Sequence, residues 1–329
     1  MPNGAMPSPK FPLIQMIESA SSSPSTPPTP DAANNIKGMV FMLISTVGFA
    51  VMVMLVRAAS TDLHAFEIAF FRNLFGLLVL VPWFIKFGWM PFKTSRLGVH
   101  VVRNLVQVAT VLSFFLALTI TPLALATALS FIAPIFATIL AIVFFREMVG
   151  VRRWLAILFG FVGTYVILRP GFIPLSLGPL LVIFSSVAFS ISLTIMKLLS
   201  RTESTVTITC YSASLLALFS LGPAAFFWQW PTWEQLGLLM ALGLIATSAQ
   251  MFFIQAMKIA DMNVVMPVFF FQLIWVAVGA YLTFGEAPDA YTLFGGAMVF
   301  ASTFYIAYRE RAIKADPAAQ PPVQPTDRG

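Results

Sequence analysis

Between about Ile36 and Tyr308 the chain is a succession of ten apolar stretches joined by loops too short to fold on their own. A helix needs about 20 apolar residues to cross a bilayer core. Within hydrocarbon only helices and closed barrels satisfy their own backbone. The spacing predicts spans over residues 38–56, 66–85, 99–118, 123–145 and 154–168, then 178–196, 206–227, 236–257, 264–284 and 291–308. The fold class that follows is an all-α membrane protein of ten transmembrane helices. Composition agrees, with 59% hydrophobic residues, 10% charged residues and a mean hydropathy of +0.89.

The charged residues fix an expected orientation. Of the 19 lysines and arginines, fifteen fall at one set of span ends or in the tails. Arg57 and Arg169 fall at the other set, and Arg72 and Arg103 lie within spans. Basic residues concentrate on the cytoplasmic side, so both termini are expected there. The same pattern explains the net charge of +6 without nucleic acid as a partner. The single cysteine, Cys210, excludes an intrachain disulfide and a thiolate metal cluster. Residues 1–35, with the tract SASSSPSTPPTP from Ser19 to Pro30, and the Pro-rich residues 312–329 are expected to be disordered cytoplasmic tails.

Two segments look like copies. Residues 113–147 align with 252–286 at a shift of 139, which matches Phe114 to Phe253, Ala117 to Ala256 and Glu147 to Glu286. Halves of five spans, 36–170 and 171–311, must insert in opposite directions because five is odd. Inverted repeats of this kind build many carriers, with the substrate site between them near the midplane.

The pattern resembles the drug/metabolite transporter superfamily, and within it the EamA-like ten-helix permeases. The resemblance rests on LHAFEIAFFR (Leu63–Arg72), on the helix holding Pro122, Pro134 and Glu147, and on Arg169-Pro170-Gly171. LHAFEIAFFR, with Lys93-Thr94-Ser95-Arg96 and His100, is most similar to the S-adenosylmethionine-uptake branch; riboflavin permeases are related. The resemblance implies a secondary transporter in the bacterial inner membrane, with a small-molecule substrate and the lipid bilayer as partners. A homodimer is carried as a candidate assembly. No cofactor and no metal are implied.

Arg72 is the outstanding polar residue, about 9 Å inside the second span. Such a charge needs a cavity, a partner or a route to the headgroups. Asn104 and Gln107 share a face of the third span, and Gln250, Gln255 and Gln272 are the matching neutral hydrogen bonders of the second half. Gln272 and Trp275, three apart, would offer a hydrogen bond beside an indole face. These seven residues are the substrate-site candidates. Arg103, one turn inside the other surface, is expected to snorkel. His64 and Glu67 share a helix face and could cap the helix or couple protons. Glu147 and Glu286, at mirrored span ends, are gate candidates, and Pro134 and Pro267 are candidate hinges.

Absences narrow the classes. The chain has no G-x-x-x-x-G-K-[ST] loop for nucleotide hydrolysis and no H-E-x-x-H zinc motif. No Asp or Glu lies near the middle of a span, the place many ion-coupled carriers use. Exchange or facilitated movement is therefore as well supported as tight ion coupling. An exporter of amino acids or drugs on the same fold, a membrane-embedded lipid-modifying enzyme and a structural subunit remain the other readings.

Overall fold

The computed structural model describes residues 32–88, 92–145, 151–169, 176–260 and 262–315. Among the described residues the secondary structure is helical, with no strand. The first half holds α1 (Ala32–Ala59), α2 (Ala65–Gly76), a 3-10 turn (Leu77–Leu80), α3 (Val81–Phe87), α4 (Leu97–Ile120), α5 (Leu123–Ser130), α6 (Ala133–Phe145) and α7 (Val151–Leu168). The second half holds α8 (Leu177–Leu199), α9 (Thr205–Ala225), α10 (Trp233–Ile259), α11 (Met262–Phe269), α12 (Phe271–Phe284) and α13 (Ala290–Ala315). Seven helical runs are long and apolar enough to cross a membrane, and the shorter apolar helices 154–168 and 290–306 add two. The divided run α2–α3 supplies the tenth crossing.

Three of the predicted spans are interrupted, and proline chemistry accounts for two of the breaks. Proline lacks an N–H, and its ring clashes with the carbonyl four residues earlier. Pro134 therefore opposes helix at Ser130, where α5 ends, and Ser186 reaches the freed Ser130 carbonyl at 3.5 Å. Pro82, in the first turn of α3, opposes helix at Leu78 inside the 3-10 turn. In α11, Pro267 lies three residues before the break at Phe270, whose N–H donates to the Pro267 carbonyl at 3.3 Å.

The broken spans expose the repeat. A shift of 139 carries Leu123–Ser130 onto Met262–Phe269 and the end of α6, Phe145, onto the end of α12, Phe284. Both breaks use three-residue turns: Ile132 N–H to Leu129 O, and Phe270 N–H to Pro267 O. Packing respects the same exchange. α1 lies along α10 as α8 lies along α4, and α7 pairs with its own counterpart α13. The chain is thus two inverted five-helix repeats whose helices pack mainly across the repeat boundary.

In a bilayer, helices associate through close packing because lipid tails are as apolar as leucine. The glycines mark where this is tightest. A Cβ at Gly243 would stand 2.8 Å from the Arg72 carbonyl and 2.9 Å from the Gly76 nitrogen, so α2 and α10 cross backbone to backbone. Gly163 and Gly295 do the same for α7 and α13, each Cβ position lying within 2.8 Å of the other's carbonyl oxygen. The first crossing fixes where Arg72 and Gln250 stand.

Candidate substrate site

Between the two halves lies a cavity of about 150 Å³. Its walls come from α1, α2, α4, the broken spans and α8 and α10. Each break supplies lining residues: Ser130, Phe131, Ala133 and Pro134 at one, Met266, Phe269 and Gln272 at the other. The interrupted helices thus place polar backbone where a cavity lets it be tolerated.

Arg72 reaches this cavity from α2 and is 5% exposed. One guanidinium nitrogen donates to Asn73 Oδ1 at 3.1 Å and another to Gln250 Oε1 at 3.4 Å. Asn73 is itself anchored on the Ala69 carbonyl at 2.7 Å. The guanidinium lies 5.9 Å from the Phe115 ring centre, within cation–π range. Arg72 is therefore turned inward, and the Gly76–Gly243 crossing holds its helix against the one that carries Gln250.

Arg103 departs from the expectation of snorkelling. It is 3% exposed, lines the same cavity and donates to Ser212 Oγ and, at 3.5 Å, to Asn104 Oδ1. The hydroxyl of Ser212 on α9 gives its side chain a polar contact inside the bundle. Sequence reasoning placed Arg103 by depth alone; the available signal was the neighbouring Asn104, which the structure shows serving it. Asn104 donates to the His100 carbonyl at 2.8 Å and stands behind Arg103, off the cavity wall.

The other candidates divide. Gln107, Gln250 and Gln272 line the cavity with Arg72. Gln107 accepts from Ser192 at 2.6 Å, while the buried Gln272 Oε1 has no hydrogen-bond partner. Gln255 accepts from Thr205 at 2.7 Å, away from the cavity. Trp275 is not brought to the wall either. Three residues past Gln272 is about 60° round the helix, and the indole is 38% exposed. The cavity's aromatic surface is supplied instead by phenylalanines, among them Phe49, Phe253 and Phe269, which meet edge to face.

His64 and Glu67 sit at the start of α2, off the cavity. His64 is the helix N-cap: its Nδ1 accepts from the Phe66 N–H at 3.3 Å, and its ring stacks on Phe227 at 3.9 Å. Burial holds its pKa below the ordinary value of 6.5. Glu67 is fully buried and accepts from the Gln229 N–H at 3.4 Å.

Glu286 joins four elements at the same face. It pairs with Arg57 of α1 at 2.6 Å, and its second oxygen accepts from the N–H of Leu123, the first residue of α5. Arg57 also donates to the carbonyl of Leu118, near the end of α4, at 2.6 Å. The repeat reproduces that donor: Lys197, 140 residues after Arg57, donates to the carbonyl of Met257, 139 residues after Leu118. Arg169 pairs with Asp289 and lies over the Tyr291 ring at 4.0 Å. Glu147 lies outside the described residues. Pro134 is on the cavity wall, and Pro267 lies inside α11 next to the wall residue Met266.

Comparison with known proteins converges on one group. The model of the EamA-like transporter family matches twice, over residues 36–169 and 176–308. An S-adenosylmethionine uptake transporter of Rickettsia prowazekii is 33% identical over 276 residues, covering 84% of this chain and 94% of its own. A riboflavin transporter of Vibrio cholerae is 28% identical, covering 82% of this chain and 93% of its own. A pseudopaline exporter of Pseudomonas aeruginosa is 26% identical, covering 80% and 93%. One crystal structure superposes with a TM-score of 0.60 at 16% identity, covering 86% of this chain and 99% of that one, which speaks for the fold alone.

Proposed function

Since this chain belongs to the EamA-like transporter family, we propose that it is a secondary transporter that takes up S-adenosylmethionine across the bacterial inner membrane. It is a multi-pass permease for a small metabolite; the substrate and direction are our reading. The observation that carries that reading is the cavity of Arg72, Gln107, Gln250 and Gln272 beside clustered phenylalanine faces. Amides and a guanidinium can bond the heteroatoms of a nucleoside and an amino acid, and aromatic faces suit a flat base or a sulfonium centre. The similarity to a transporter of that name supports it.

In this reading residues 36–170 and 171–311 move as two halves, both termini are cytoplasmic, and Arg57–Glu286 closes the outer face. Asn104 positions Arg103, while Gln255 and Trp275 support the bundle rather than touch substrate. In this reading the chain is a carrier rather than an enzyme, which its family supports, and His64 and Glu67 serve as a helix cap and a buried backbone acceptor.

Riboflavin is the second reading, supported by the relatives of that name. Uptake of radiolabelled S-adenosylmethionine and riboflavin into proteoliposomes, each with unlabelled competitors, separates the two. Saturable uptake of S-adenosylmethionine, abolished in Arg72→Ala at unchanged expression, is the expected result. Competition by aliphatic amino acids alone would remove both.

A further inference from the structure

Two arginines line one cavity, and neither has an acid. Arg72 donates to Asn73 and Gln250, and Arg103 to Ser212 and Asn104, all neutral groups. The Nε atoms of both are buried without a hydrogen-bond partner. Among the described residues no Asp or Glu lines this cavity. A buried charge is stable only when it is paired or well hydrogen-bonded, and a hydrogen bond to a neutral oxygen leaves the charge itself uncompensated. Elsewhere two partly buried arginines do have an acid: Arg57 has Glu286 and Arg169 has Asp289. The cavity is the place where the described side chains provide cations and withhold the anions.

The repeat sharpens the point. A shift of 140 carries the start of α2 onto the start of α9 and Arg72 onto Ser212; a shift of 139 carries Arg103 onto Leu242. The scaffold is duplicated, but both charges belong to the first half. They are additions to the scaffold, not consequences of it.

We infer that the missing negative charge belongs to the cargo: the cavity selects a metabolite that carries an anionic group, a carboxylate or a phosphate, and Arg72 and Arg103 together bind it. This deepens the transport reading and rests on it. In S-adenosylmethionine the group is the carboxylate of the methionine moiety, which leaves the adenine and the sulfonium to the phenylalanine side. Arginine suits this role because its planar fork bonds carboxylate and phosphate through two N–H groups at once. A cationic ligand without an anionic group would add to the two charges already present.

The test is thermal stabilisation of the purified full-length protein by matched ligand pairs at equal ionic strength. The pairs are S-adenosylmethionine against its decarboxylated form, flavin mononucleotide against riboflavin, and benzoate against benzamide. Within each pair that binds, the anionic member should bind at least tenfold more tightly. That preference should collapse in Arg103→Gln and in Arg72→Gln, while affinity for the non-anionic member falls by less than threefold. Correct folding of each variant is checked by its unliganded melting temperature and gel-filtration profile. Equal affinities within the binding pairs, or a preference that survives both substitutions, would overturn the inference. So would a lack of stabilisation by every anionic member. A preference seen only with benzoate, with neither adenosyl nor flavin compounds bound, would keep the anion site and discard the proposed substrates.

Discussion

Phe131 and Phe270 stand 139 residues apart in the chain and 4.3 Å apart between ring centres. Each sits at the break of its span, the first residue past α5 and α11 respectively. The two interruptions of the repeat therefore meet at one aromatic contact, with Phe131 on the cavity wall. Aromatic pairs of this kind add about 1 kcal/mol beyond the area they bury. Phe131→Ala and Phe270→Ala should each lower stability by about 3 kcal/mol. The double variant should lose less than their sum by about 1 kcal/mol, measured by unfolding in detergent as a double-mutant cycle.

Glu286→Gln should open the face that Arg57 and Glu286 hold together. Both side chains are partly exposed, 25% and 22%, so the pair itself contributes at most about 1 kcal/mol. Its larger effect is on the balance of conformations, because the same carboxylate holds the start of α5. A cysteine placed at Thr121, now 2% exposed, in a Cys210→Ala background reports this. It should react with an impermeant maleimide several-fold faster once Glu286 is replaced; an unchanged rate would show that the pair holds nothing shut.

Gly243→Ala should disable transport without touching the cavity wall. The added methyl meets backbone atoms of Arg72 and Gly76 that cannot swing aside. Separating α2 from α10 costs about 1–3 kcal/mol and draws Arg72 away from Gln250. Melting temperature and uptake should fall together. Gly237→Ala, on the same helix with open space at its Cβ, should leave both unchanged.

Acid should weaken the cap of α2. Nδ1 of His64 accepts a hydrogen bond, so the capping form is neutral, and burial keeps the folded pKa below 6.5. The unfolded chain then binds the proton more readily, so the contribution is complete above about pH 6.5 and is lost as pH falls below it. His64→Asn, which also caps, should remove this part of the pH dependence between pH 7.5 and 5 in thermal unfolding.

Reporter fusions at Ala312 and within residues 228–233 should lie on opposite sides of the membrane, the first cytoplasmic. The same side for both would remove one of the ten crossings.

The scaffold was legible in the sequence because its causes are periodic. Bilayer thickness sets span length, and the 139-residue shift shows in the spacing of Glu147 and Glu286. Breaks were less legible: Pro134 announces that a helix must yield, but not that a cavity will form there. The site was least legible, because facing direction decides it. Gln272 and Trp275 share a helix and differ by about 60°, which suffices to put one on the cavity and the other on the surface. Arg103 was placed by its depth, whereas its fate is set by Ser212, a residue 109 positions away.

The twin breaks also bear on energy. Two interruptions at equivalent places in oppositely inserted copies, two residues long at 131–132 and one residue long at Phe270, give the molecule two ways of bending that the repeat exchanges. States reached by such exchanged motions have similar free energies, and a carrier needs that, since a bias of about 1.4 kcal/mol toward either would leave nine molecules in ten waiting on one side. A machine balanced in this way has no built-in forward stroke. In the transport reading, concentrations on the two sides of the membrane would then set which way the cargo flows.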